Sequence, residues 1–234
     1  RATLSDYRGS GYDRGHMAPN ADMPNKAAQF DSFSLANMVP QAPKNNQQVW
    51  RELEEATRAL VTKQKLDVFV VTGPVFQGKK LKTIGQGVIV PSAVYKAVYM
   101  PKTGAIGAYY APNDNSQQVR IVSVCYLEEQ LGVNLFPQLT EEQKRNTYKL
   151  PLTATAVKAN SAIQYSHWDA ESQCAEEVSS EQLKALQKNF KSGSTQSSSG
   201  STVKTGTGID AADQDAIVKQ LVDALLQYIL QLLR

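Results

Sequence analysis

Along residues 46–63, NQQVWRELEEATRALVTK, apolar Val49, Leu53, Ala56 and Leu60 recur at steps of four, three and four. That rhythm predicts a helix with one apolar stripe. Three later runs are rich in β-branched and aromatic residues and are broken by Gly and Pro: LDVFVVTGPVF (66–76), GVIVPSAVYKAVYM (87–100) and AIGAYYAP (105–112). They predict three strands of an antiparallel sheet. Residues 1–45 are punctuated by Gly, Pro and Asn and read as loops around short extended pieces. Ser123 opens a short helix that ends at Gly132, and Thr140 with Gln143 makes a capping box for another.

After residue 166 the character of the chain changes. Residues 167–191 read as a helical extension built around SSEQLKALQKNF (179–190), with Leu183, Leu186 and Phe190 on one face. The Ser-, Gly- and Thr-rich stretch 192–208 reads as a flexible linker. Residues 209–234 predict an amphipathic helix capped by Asp210. Its Val218, Val222, Leu225, Ile229 and Leu232 alternate steps of four and three, a coiled-coil-like seam. Such a stripe needs a partner surface, on its own domain, on a second copy or on another protein.

Composition narrows the picture modestly. The 234 residues are 41% hydrophobic and 20% charged, ordinary values for a globular chain, and the net charge of +3 allows a polyanionic partner without requiring one. No run of about 18 apolar residues occurs, so no membrane-spanning helix is expected. The start, RATLSDYRGSG, shows no signal peptide, as a mature processed protein also would not. Cys125 and Cys174 allow one disulfide or two free thiols, and neither sits in a zinc-type cluster.

The segment GSGYDRGHMAPNADM (9–23) holds His16, one of only two histidines. A neutral imidazole can take a proton from water near physiological pH. Arg14, two residues earlier, shares its side of an extended segment and can hold a phosphate oxygen. Cleaving a phosphodiester also profits from a hard cation, and such a cation takes oxygen ligands while keeping several waters. Asn46 offers an amide oxygen at the start of the predicted helix. Glu54 lies about 80° around a regular α-helix from it, where it can hold the cation's waters, and Arg58 follows one turn on. Each residue also has a plain structural reading: an Asn at a helix start is most often a cap, and a Glu on a helix is most often solvated.

YDRGHMAPNADM followed by SLANMVPQAPKNNQQVWRELE resembles the DNA/RNA non-specific endonucleases, which use a ββα-metal (His-Me finger) active site. The Asp13-Arg14-Gly15-His16 signature is intact, and the Asn-Gln-x-x-Trp-x-x-Leu-Glu pattern stands as Asn46, Gln47, Trp50, Leu53 and Glu54. TGPVF (72–76) and LGVNLFP (131–137) are similar to later landmarks of that family, and the resemblance covers roughly residues 3–150. It implies an α+β fold with an antiparallel sheet core, a domain over 1–166, and a Mg²⁺-dependent enzyme, Mn²⁺ being a substitute, that cuts DNA and RNA to 5′-phosphate products. It further implies His16 as general base and Asn46 as the one direct metal ligand. Glu54 would hold the metal's water shell, Arg14 and Arg58 would stabilise phosphorane charge, and Asn37 would support or orient the site. Asp13 would tie the loop rather than touch substrate. Relatives act outside the cell as well as in mitochondria; export to an extracellular or periplasmic space is favoured here, with a mitochondrial or cytoplasmic home still open.

Fifteen residues precede His16, fewer than relatives carry, which fits a fragment, a processed form or a shortened member of the family. Arg1 and Arg8 are the arginines available to replace a further phosphate-binding arginine of the family, and neither is assigned that role. Two other readings stay open. One is a weakened nucleic-acid-binding or interaction module acting through residues 209–234, as a homo-oligomer or with a partner protein. The other is a toxin nuclease whose tail binds an immunity or delivery protein. His167 is expected as a non-catalytic surface or packing residue, Trp50 in the core, and the tyrosines of 95–110 in sheet packing.

Overall fold

A computed structural model describes residues 2–175. The expected helix at 179–190, the linker at 192–208 and the helix at 209–234 lie outside the described residues.

The centre is a four-stranded antiparallel sheet in the order β3 (Phe69–Val75), β6 (Ala93–Met100), β7 (Ala105–Pro112), β8 (Arg120–Val122). The run 87–100, expected as one strand, is two. Val88–Ile89 (β5) pairs in a small hairpin with Thr83–Ile84 (β4), and the chain turns past Pro91 before β6 begins. A proline lacks the N–H a sheet interior needs, so the break falls there.

Both faces of this sheet are covered, which is why β6 reads as an almost unbroken apolar run. Val94, Val98 and Met100 pack with Trp50, Leu53 and Leu60 of the helix on one side. Ala93, Tyr95 and Ala97 pack with Val124 and Leu127 on the other. Strand alternation therefore points Lys96 toward the Trp50 helix. Trp50 and Tyr109 are core residues, as expected.

That helix, α3 (Arg51–Gln64), is preceded by a six-residue wide π-type turn, Asn45–Trp50, and ends at Lys65 in the left-handed region. On the opposite face α4 (Val124–Leu131) starts where Ser123 accepts from the Tyr126 N–H and stops at Gly132. The capping box Thr140–Gln143 opens α5 (Glu141–Arg145). All three helices stand where the sequence predicted them.

The compact unit runs to Glu176, past the boundary expected at 166. Residue 166 falls inside β10 (Tyr165–Trp168), which pairs with β9 (Asn146–Tyr148). Beyond it, Ser123 donates to Asp169, the Ala175 N–H donates to Glu128, and Cys174 forms a disulfide with Cys125. The disulfide alternative is thus the one adopted. His167 is exposed on β10, as expected.

Candidate active site

Residues 1–45 build more than loops. The short helix α1 (Leu4–Tyr7) leads through a turn into β1 (Asp13–His16). After α2 (Lys26–Ser32), capped by Asn25, the chain returns as β2 (Met38–Gln41). β1 and β2 pair antiparallel, with His16 opposite Met38 and Asp13 opposite Gln41. Alternation puts Arg14 and His16 on one face and Asp13 and Gly15 on the other. Gly15 has no substitute: a Cβ there would lie 1.8 Å from Oε1 of Gln41. Gln41 is fully buried and donates to Asn45 at 2.5 Å, so it fills the space against Gly15.

His16 closes β1. Its Nε2 is buried without a hydrogen-bond partner among the described residues. The ring packs edge-on against Phe33 at 4.9 Å. Burial, helped by the Arg14 charge, holds the imidazole below its ordinary range, so it is neutral at physiological pH. Asn37 is spent on the backbone that follows. Its amide exchanges two hydrogen bonds with Ala18, at 2.9 Å each, and donates to the Ser32 carbonyl at 3.0 Å. These bonds shape the loop after His16.

Asn46 sits in the wide turn, so the angle of about 80° to Glu54 that a regular α-helix gives does not apply across it. Its Nδ2 donates to Asp13 at 2.9 Å, and the neighbouring Gln47 amide donates to the same oxygen at 2.8 Å. A carboxylate only accepts, so the amide nitrogen must face Asp13 and Oδ1 faces away, unengaged among the described residues. Asp13 therefore orients Asn46, in keeping with a structural role.

Glu54 is half-buried and makes no hydrogen bond among the described residues. Burial pushes its carboxyl up to about 7, opposed chiefly by the Lys96 ammonium, with Arg58 also opposing and Asp22 reinforcing. Arg58 pairs with Asp22 through Nε at 2.5 Å, which leaves the two terminal nitrogens of its fork for another acceptor.

Sequence reasoning missed Lys96, Thr72 and Asp22. Lys96 is 2% exposed, lies 5.3 Å over the Trp50 ring and donates to Thr72 at 3.2 Å. The available signal was one lysine inside the otherwise apolar SAVYKAVYM.

Several of these residues line two clefts at the two ends of β1, while His16 and Glu54 line neither. One, of about 720 Å³, includes Met17, Asn37, Arg58, Asp22 and Lys96. The other, of about 570 Å³, includes Arg14, Asp13, Asn46 and Arg8. Among the described residues no group of three or more His, Cys, Asp and Glu side chains is arranged to hold a metal ion. An open amide oxygen on Asn46 and a half-buried carboxylate short of donors do suit a hard cation that keeps most of its waters.

A hairpin carrying a histidine, followed by a helix carrying an asparagine and a glutamate, is the ββα-metal frame. The chain belongs to the DNA/RNA non-specific endonuclease family, whose model matches residues 1–142. It is 38% identical over 159 residues to the mitochondrial nuclease EXOG of Danio rerio, covering 59% of this chain and 46% of that protein. It is 39% identical over 127 residues to mitochondrial endonuclease G of Homo sapiens, covering 48% and 42%. It is 36% identical over 157 residues to a nuclease of Nostoc sp., covering 60% and 56%. The chain spans about half the length of the curated relatives it matches. Its structure matches a chain of the crystal structure of the EndoG/EndoGI complex with a TM-score of 0.53 and 28% identity, over 62% of this chain and 66% of that one.

Proposed function

We propose that this chain hydrolyses phosphodiester bonds of DNA and RNA, with Mg²⁺ as its cofactor and Mn²⁺ as a substitute. The observation that carries this reading is the ββα frame itself, bearing a neutral His16 and an Asn46 oxygen that Asp13 turns outward, within the family-matched segment. Asn46 would hold the metal directly and Glu54 would hold its waters. When bound, the metal supplies charge neutralisation at the phosphate and the departing oxygen.

His16 takes a proton from water, and the water oxygen attacks phosphorus. The P–O3′ bond breaks, the 3′ oxygen takes a proton from a solvent water and leaves as a hydroxyl, the phosphate stays on the 5′ side, and His16 returns its proton to solvent. Arg14, on the same face of β1 as His16, and Arg58, with its fork's terminal nitrogens open, stabilise charge on the phosphoryl oxygens. Asn37 positions the loop that follows the base. All these groups address the phosphate, which carries no base information, so cutting is indifferent to sequence. The Cys125–Cys174 disulfide supports an extracellular or periplasmic place of action.

Plasmid nicking with Mg²⁺, with EDTA, and by His16→Ala tests the reading. Cleavage is expected only in the first; cleavage that persists in His16→Ala removes the role given to that residue.

A further inference from the structure

The cleft at the Asp13 end of β1 is built to a higher standard than a surface depression. Arg8, Arg14, Tyr7 and Asn46 line it. Gly9 (φ +68°) and Gly11 (φ +80°) adopt left-handed backbone that side chains rarely take, and this turn leads from Arg8 at the end of α1 to Arg14 in β1, which lines the same cleft. The turn is pinned, since Ser10 donates from both its N–H and its hydroxyl to the Tyr7 carbonyl, at 3.1 and 2.8 Å. The helix before it is pinned as well: buried Asp6 accepts from the Gln86 N–H at 2.8 Å and from Thr3.

Two features of this cleft have no use within the fold. Tyr7 is 7% exposed, and its hydroxyl is buried without a hydrogen-bond partner among the described residues. Leaving such a group unpaired is unfavourable unless something outside the fold pairs with it. Burial raises the Tyr7 hydroxyl above its ordinary range against the pull of Arg14, so it remains an O–H donor. Arg8 is exposed and forms no ion pair among the described residues. The one carboxylate lining the cleft, Asp13, already accepts from Asn46 and Gln47. The cleft thus offers two guanidinium forks and a buried hydroxyl donor against one carboxylate that is already occupied.

We propose that Tyr7 and Arg8, beside Arg14, bind a second backbone phosphate of the nucleic acid, the neighbour of the phosphate that is cut. This rests on the nuclease reading above and adds a subsite to it. Asn46 borders both the cleft and the proposed metal position, so a strand bound there presents consecutive phosphates to consecutive sites. The phosphate is the right occupant because it is the one strand component that is anionic and accepts from several donors at once.

The test uses the full chain with His16→Ala, so that nothing is cut, and a labelled single-stranded DNA whose binding is followed over a range of salt. Each neutralised phosphate on a single strand contributes about 0.7 to the slope of log affinity against log salt. Arg8→Gln is expected to lower that slope by about 0.7 and to weaken binding roughly tenfold at low salt. Tyr7→Phe deletes only the partnerless hydroxyl, so the fold is retained; binding is expected to weaken severalfold with the slope unchanged. An Arg8→Gln slope equal to that of the parent, or a Tyr7→Phe affinity equal to it, overturns the subsite. If the chain with His16 restored fails to nick plasmid while both expected binding changes occur, the proposed activity falls and the phosphate subsite stands.

Discussion

Asp13 accepts a hydrogen bond from the side-chain amide of Asn46 at 2.9 Å, across 33 residues of chain. The first residue of the DRGH strand thereby sets the direction of an oxygen in the helical turn. Partners that orient a metal ligand matter nearly as much as the ligand. Asp13→Ala is expected to lower Mg²⁺ affinity by about 10- to 100-fold, read by titrating Mg²⁺ calorimetrically and in the nicking assay. Unchanged affinity would show that the amide needs no such hold.

The acid side of the pH profile belongs to His16. Its imidazole works as a base only when neutral, and burial with the Arg14 charge holds it below the ordinary value of 6.5. Activity at saturating Mg²⁺ should therefore be full at neutral pH and fall as pH drops through a midpoint below 6.5. A midpoint above 7 in kcat/KM would contradict the assignment. His16→Ala should cost about 10²- to 10⁴-fold in rate.

Glu54 links metal binding to protons. Burial raises its carboxyl to about 7, and a bound cation favours the ionised form. Below about pH 7 Mg²⁺ binding should release a proton, and Mg²⁺ affinity should rise with pH and level off above that value. Calorimetry in buffers of different ionisation enthalpy reads this directly. Glu54→Gln should abolish the proton release; release that survives the substitution would place the titrating group elsewhere.

Gly15→Ala tests the packing beneath His16. The new methyl would overlap Gln41, which is buried and tied to Asn45. Overpacking of this kind costs about 1–3 kcal/mol. Thermal melting should show that loss, and nicking should fall with it, because the overlap displaces the strand that carries the base. Wild-type stability in the variant would mean that β2 can yield.

The disulfide closes a separation of 49 residues and ties the segment after β10 to α4. By the chain-entropy relation such a link stabilises by about 4 kcal/mol. Reduction, or Cys174→Ser, should lower the melting temperature by on the order of 10 °C. A shift under 2 °C would leave the Glu128 and Asp169 hydrogen bonds as sufficient anchors.

Residue pattern determined the periodic elements and, through the family resemblance, the candidate site. The α3 stripe, the three strand runs and the caps at Ser123 and Thr140 are local signals. DRGH and the Asn46–Glu54 pattern supply the candidate groups of the proposed reaction, because side-chain type limits what a residue can donate, accept or ligate. The short α2 and the break at Pro91 were not legible, since a few residues carry too little periodicity to outvote their neighbours. Tertiary structure decided what depends on distant partners. It paired Asp13 with Asn46, spent the Asn37 amide on Ala18 and Ser32, set Asp22 on Arg58, and buried Lys96 between Trp50 and Thr72. It also closed Cys125 onto Cys174 and carried the domain past β10. Hydrogen bonds and desolvation arise between residues far apart in sequence, so composition and spacing fix which groups are present while packing fixes which of them remain free to act.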